Sequence, residues 1–247
     1  MNQKELIFVC ILVVSTKPIT YHMKKVFYSI IFIFLFSLTS FSQVSINAGT
    51  SILRGFTTDK SFFGFNAGIE MPRSNDITFY GRIGYYLPKN EEQINSSTVN
   101  AIDLTTSPNQ LNVNYQTKMN YTTIEGGTRY YLGNDYDNGF SLYGGGNFML
   151  YFNSIKRDYE KEDATGTYTW EDKYQLSPNE TDKGKIISIA MGVQGGMKYT
   201  IPATGTFYFD VNGQYSIFGQ ASNSNISTEL YSPLFFTFNI GYRKDLY

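Results

Sequence analysis

A chain of 247 residues with 20 Lys and Arg against 21 Asp and Glu has a formal net charge of −1. Residues 1–42 hold Lys4, Lys17, Lys24 and Lys25 against Glu5 alone, so the remainder is more acidic still, which excludes the basic surface that a nucleic-acid partner requires. The single cysteine, Cys10, and the single histidine, His22, both precede Met23, so everything downstream lacks a disulfide, a cysteine nucleophile, a histidine metal ligand and a Ser-His pair.

Residues 1–22 contain an apolar run, Leu6 to Val14, upstream of a better start at Met23, and are expected to be an over-extended start outside the fold. Met23-Lys24-Lys25, the apolar run Val26 to Leu38, and Thr39-Ser40-Phe41-Ser42 have the order of a secretory signal peptide, placing one at 23–42 with cleavage near Ser42. The run is shorter than the roughly 20 residues a helical span needs. With no cysteine after it, a lipid anchor is not expected.

From residue 43 onward the chain alternates, and about eight strands follow. Val44, Ile46 and Ala48 open the first; Phe63, Phe65, Ala67, Ile69 and Met71 the second; Ile77, Phe79, Gly81, Ile83, Tyr85 and Leu87 the third. Ile124, Gly126, Thr128, Tyr130 and Leu132 mark the fourth, and Phe140, Leu142, Gly144, Gly146, Phe148, Leu150 and Phe152 the fifth. Ile187, Ile189, Met191, Val193, Met197 and Tyr199 form the sixth; Phe207, Phe209, Val211, Tyr215 and Ile217 the seventh; Leu234, Phe236, Phe238, Ile240 and Tyr242 the eighth. The residues between them are mostly Gly, Ser, Thr, Asn, Gln and Tyr, so each strand has one greasy and one polar face.

Connections alternate in length. Residues 72–76, 133–138 and 202–205 are tight turns rich in Pro, Gly, Asn and Asp; Pro88–Lys118, Ile155–Lys185 and Gly219–Ser232 are expected to be long polar loops, with Gly55–Lys60 a short one on the same rim. Short turns on one rim and long loops on the other describe a transmembrane barrel. A soluble barrel would carry many Lys and Glu on its outward face, and here one face is nearly free of charge. The expected fold is therefore all-β: an eight-stranded antiparallel up-and-down transmembrane β-barrel over residues 43–247, one domain, in the bacterial outer membrane.

The leader, the Leu234–Tyr242 strand running to the aromatic Tyr247, and the segment from Tyr121 to Leu132 (YTTIEGGTRYYL) resemble the small outer-membrane β-barrel, porin-like proteins of Bacteroidota-type bacteria. Their architecture is similar to that of the OmpA and OmpX barrels. The resemblance implies a terminal signal read by the barrel-assembly machinery, although Arg243-Lys244-Asp245 carries the strand past the usual end. It implies nothing about an activity.

Alternation places Glu70, Arg82, Glu125, Arg129, Lys198, Asp210 and Arg243 inside the barrel. An eight-stranded lumen is just wide enough for side chains to fill, so these charges are expected to pair and close it rather than line a gated ion path. Lys198 and Asp210, diagonal across the 202–205 turn, are expected partners, with Arg243 on the next strand able to join them; Glu125 and Arg129 lie two pleats apart on one strand, with Arg82 on its neighbour. Around Asp163–Thr167 the longest loop is expected to form a hairpin tip whose aromatics, Tyr159, Tyr168, Trp170 and Tyr174, are candidate contacts for a protein, a glycan or a neighbouring lipopolysaccharide.

No spacing indicates a metal or cofactor. Known lipid-A deacylase and phospholipase barrels use a Ser-His pair, which the exported part cannot supply. The expected function is non-enzymatic: a structural, adhesive or ligand-binding barrel acting through its loops, as a monomer in contact with outer-membrane lipid and lipopolysaccharide. The alternatives are a small pore for ions or solutes, or an accessory barrel of a secretion system.

Overall fold

Apolar side chains at every second position, β-branched and aromatic content, and turn residues between the runs dictate strands. The computed structural model describes residues 44–58, 60–170, 173–177, 182–221 and 231–246. The expected start (1–22) and leader (23–42) lie outside the described residues.

Ten strands follow in order: β1 Val44–Gly55, β2 Ser61–Pro72, β3 Ile77–Asn90, β4 Asn95–Ala101, β5 Gln110–Leu132, β6 Gly139–Asp163, β7 Tyr174–Leu176, β8 Lys183–Ile201, β9 Gly205–Ala221 and β10 Leu234–Leu246. Eight of them, β1, β2, β3, β5, β6, β8, β9 and β10, pair antiparallel each with the next, and β10 returns to β1 from Arg54↔Phe236 to Val44↔Leu246. The ring is closed, and closure removes the free edges that an open sheet would present. It is the eight-stranded up-and-down barrel that the alternation implies.

The greasy face points outward. Val193, Ile240 and Ile83 are 70, 62 and 60% exposed, and Phe65, Phe79, Leu132, Phe140, Phe148, Met191, Phe207 and Phe238 share that outer surface, while Ser45, Thr78, Ser141 and Thr206 face inward and are buried. An apolar surface that encircles the molecule is far larger than water-soluble monomers tolerate. On β6 the outward residues are apolar from Phe140 to Phe152 and then change to Ser154, Lys156 and Asp158. At ~3.3 Å per residue and a tilt of ~45° that stretch is about 28 Å tall, against a band of about 25 Å in outer-membrane barrels.

Two local departures from plain alternation have physical causes. The register of β8 against β9 shifts between Ile189 and Ala190, and the bulge turns Ile217 and Phe218 both outward, where strict parity would put Phe218 inside. More consequential, the loops expected at Pro88–Lys118 and Ile155–Lys185 are in large part strand. β5 and β6 are 23 and 25 residues long and stay paired from Leu132↔Leu142 up to Val113↔Asp163, well past the apolar band. Leu111, Val113, Thr117 and Met119 keep the inward parity, as do Ile155 and Arg157, but outward Asn, Gln, Lys and Glu replace the greasy partners that announce a spanning strand.

This projecting part forms a lobe with its own core. β4 pairs with β5, and β7 with β4; residues 167–170 return along β6, with the Asp163 N–H donating to the Tyr168 carbonyl (2.8 Å) and the Trp170 N–H to that of Lys161 (3.2 Å). The curled sheet encloses Val99, Leu111, Val113 and Tyr174, flanked by Ala101, Tyr159, Trp170 and Leu176. Because this core is separate from the lumen, Leu111→Ala is expected to loosen the lobe by about 2–5 kcal/mol and leave the ring intact. Limited proteolysis should then cut within 95–176 faster, with no change in the barrel's boiling-dependent gel mobility.

Candidate functional site

Two places concentrate chemistry: the lumen and the lobe. The ring puts β9 diametrically opposite β3, four strands away in either direction. Asp210 on β9 therefore reaches across the lumen to Arg82 on β3 (Oδ2–Nη1 3.2 Å) and to Arg129 on β5 (Oδ2–Nη2 3.0 Å). Arg82 also holds Glu125, its register partner on β5, through Nη2 at 2.8 Å, and Arg129 holds Glu70 on β2 through Nη1 at 2.8 Å.

The remaining carboxylate lone pairs are met by neutral donors. Glu125 accepts from Tyr80 (2.6 Å), Asn147 (2.9 Å) and Asn212 (3.1 Å). Glu70 accepts from Thr78 (2.6 Å) and Tyr131 (2.5 Å), and Asp210 from Asn239 (2.6 Å). The Arg129 guanidinium stacks between the rings of Tyr80 and Tyr143, 4.4 and 4.9 Å from their centroids. Room for such rings comes from glycine on neighbouring strands. A Cβ at Gly196 would lie 2.6 Å from Cζ of Tyr143, and one at Gly241 2.4 Å from the Tyr208 hydroxyl.

Arg243 and Lys198 occupy the turn end. Arg243 donates to the Tyr136 carbonyl (2.7 Å) and Thr206 (3.2 Å), and lies 3.3 Å from Asp245 and 3.6 Å from Glu70. Lys198 donates to the carbonyls of Asp135 (2.7 Å) and Asn138 (2.6 Å), tying down the β5–β6 turn. The expected Lys198–Asp210 and Arg243–Asp210 pairs do not form. Asp210 is taken by guanidiniums from across the lumen, whose charge it shares in two directions, while Lys198 sits beside turn carbonyls at the rim.

At the opposite end a second layer closes the lumen: Leu53, Phe62, Tyr86, Met119, Tyr121, Met149, Tyr151, Ile155 and Phe235 form one buried apolar cluster. Sequence reasoning named none of them as a seal. Their inward parity was readable from Leu53, Phe62 and Phe235, each the residue just beyond a run of small polar inward positions.

In the lobe, three of the four expected contact aromatics face inward. Tyr174 is buried and its hydroxyl donates to the Pro108 carbonyl (3.0 Å); Tyr159 and Trp170 are half-buried, their rings 5.7 Å apart edge to face. Only Tyr168 of the four is an exposed ring. The hairpin tip is organised by Asp163, which accepts from Thr165 Oγ1 (2.5 Å) and from the N–H groups of Thr167 (2.7 Å) and Tyr168 (2.9 Å).

The Thr165 hydroxyl first, then the Tyr168 and Thr167 amides, hold the Asp163 carboxyl down at about 2 from its usual 3.8. A lowered carboxyl stabilises the tip fully above its usual value and stops doing so as pH falls through about 2. Hydrogen exchange should show the Thr167 and Tyr168 amides protected at pH 5 and released near pH 2. In Asp163→Ala they should be unprotected throughout; protection that survives in the variant would remove the carboxylate from this role.

No family model and no curated protein matches the chain. Solved structures do. Ail, the attachment invasion locus protein of Yersinia pestis, is 14% identical over 83% of this chain and 99% of its own, with a TM-score of 0.40. The outer membrane protein OprG from Pseudomonas aeruginosa is 11% identical over 83% and 96%, with a TM-score of 0.43. A major outer membrane protein from Thermus thermophilus is 11% identical over 82% and 99%, with a TM-score of 0.44.

Proposed function

We propose that this chain is a non-enzymatic, closed barrel of the bacterial outer membrane whose role is structural, adhesive or ligand-binding and is carried by the lobe built from β4, β5, β6 and β7. The observation that carries the reading is the sealed lumen: Glu70 and Asp210 are 0% exposed, Arg82 is 4% and Arg129 3%. A side chain lining a water path through the ring would be wet. Here the central layer is a cross-lumen ion-pair network, and an apolar cluster caps it on the loop side. Arg82, Arg129 and Arg243 meet Glu70, Glu125 and Asp210, so the plug also balances its charge.

The encircling apolar band supports membrane insertion, and a chain entering from the periplasm would leave the short turns there and project the lobe outward. The terminal strand, Leu234–Leu246, closes the ring against Val44–Gly55, which supports insertion through the barrel-assembly machinery. A planar-bilayer recording on the refolded chain tests the closed reading. Silence or rare flickers are expected; steady, sizeable channels would establish the small pore instead.

A further inference from the structure

The registers of β5, β6 and β8 stack their outward residues in cross-strand rows. Thr122, Phe152 and Ile187 form the row at the upper edge of the apolar band. One pleat further from it stand Asn120, Ser154 and Lys185, and one pleat beyond those Lys118, Lys156 and Lys183. Three lysines thus lie directly opposite one another, with a fourth beside them, immediately above the greasy surface. Directly opposed like charges destabilise a sheet. Lys156 pairs with Asp158, and Lys183 lies 3.7 Å from Asp182; both pairs are about half exposed or more, where water and salt screen them. The acidic residues of the outward face, Asp158, Glu160 and Glu162, come next along β6, farther from the band. Along the outward face of β6 the order is therefore apolar, then Lys156, then acidic.

We infer that Lys118, Lys156, Lys183 and Lys185 form a binding site for the phosphate-bearing headgroups of lipids in the leaflet that surrounds the lobe end of the barrel. The inference rests on the outer-membrane reading above. Two pleats are ~13 Å of strand, about 10 Å of height at a tilt of ~45°. The headgroup layer extends about 5–8 Å beyond the hydrocarbon, and a lysine stem turned toward the band, past the Asn120, Ser154 and Lys185 row, would put its ammonium at that depth. Phosphates seated in the row bring counter-charge to the level at which the lysines repel one another. A free anion in solution would gain no contact with the greasy row beneath, whereas a lipid headgroup brings acyl chains to it.

The test reconstitutes the full-length folded barrel into phosphatidylcholine nanodiscs containing a small fraction of diphosphoryl lipid A and measures the lipid A bound per barrel. The triple variant Lys118→Gln, Lys156→Gln, Lys183→Gln is expected to bind about fivefold more weakly for each lysine removed. The triple arginine variant should bind as the parent does, and Lys161→Gln on the lobe should change nothing. Equal binding by parent and glutamine variant, or equal binding of dephosphorylated lipid A, would overturn the site. Full competition by inorganic phosphate would overturn the lipid as its source. A chain that inserts, with its boiling-dependent gel shift, yet shows no phosphate preference refutes this site alone; a chain that never inserts refutes the membrane reading with it.

Discussion

Asp210→Ala is expected to destabilise the folded barrel by about 3–5 kcal/mol, the usual cost of removing one partner of a buried ion pair. The size follows from what the carboxylate holds. Arg82 and Arg129 both lose their shared anion, and Asn239 loses its acceptor at 2.6 Å. Both guanidiniums come from strands on the far side of the ring, and water must enter to solvate them. The same substitution should therefore turn a silent barrel into one with long openings, read in the bilayer recording, alongside a lowered urea midpoint in lipid vesicles. The contrasting variant replaces the charges together, with Arg82→Met, Arg129→Met, Glu70→Leu, Glu125→Leu and Asp210→Leu, so that neither Glu125 nor Glu70 is left without its arginine. Exchanging a whole buried network for apolar groups of similar volume is often neutral, so this barrel should remain closed and nearly as stable. A silent, fully stable Asp210→Ala protein would falsify the ion-pair plug.

Val193→Arg should cost about 2–4 kcal/mol in a bilayer, because Val193 stands midway along the outward face of β8, between Ile187 and Tyr199, and a cation there lies near the midplane. Val193 is 70% exposed and touches little protein, so on a water-facing surface the same change would fall within the scatter of ordinary surface substitutions. Ser154→Arg, on the same outer face but above the band, should cost at most about 1 kcal/mol, from standing opposite Lys185. Equilibrium unfolding from phosphatidylcholine vesicles measures both variants against the parent. Equal costs at 193 and 154 would mean that the outer face does not see a hydrocarbon layer.

What could be read along the chain and what could not differ in kind. Period-2 alternation belongs to single strands, so all eight ring strands and the sidedness of Ile83, Phe148 or Val193 were legible from local pattern alone. The interior membership of Glu70, Arg82, Glu125, Arg129, Lys198, Asp210 and Arg243 came from the same parity. Pairing within a hairpin or between chain neighbours was partly legible too: Arg82 does meet Glu125. The lobe was missed because its outward residues are polar, and alternation of polar with weakly apolar side chains looks like loop until a partner strand is seen.

The sequence by itself determined a barrel with its greasy face outward, since sidedness is set residue by residue through the pleat. Only the tertiary structure decided who meets whom inside it. In a closed ring of eight strands, Asp210 and Arg82 are 128 positions apart and on opposite walls, yet their side chains touch, because the lumen is narrower than two extended side chains. Contact across a lumen depends on closure and register, which are properties of the whole sheet and leave no mark on the neighbours of either residue.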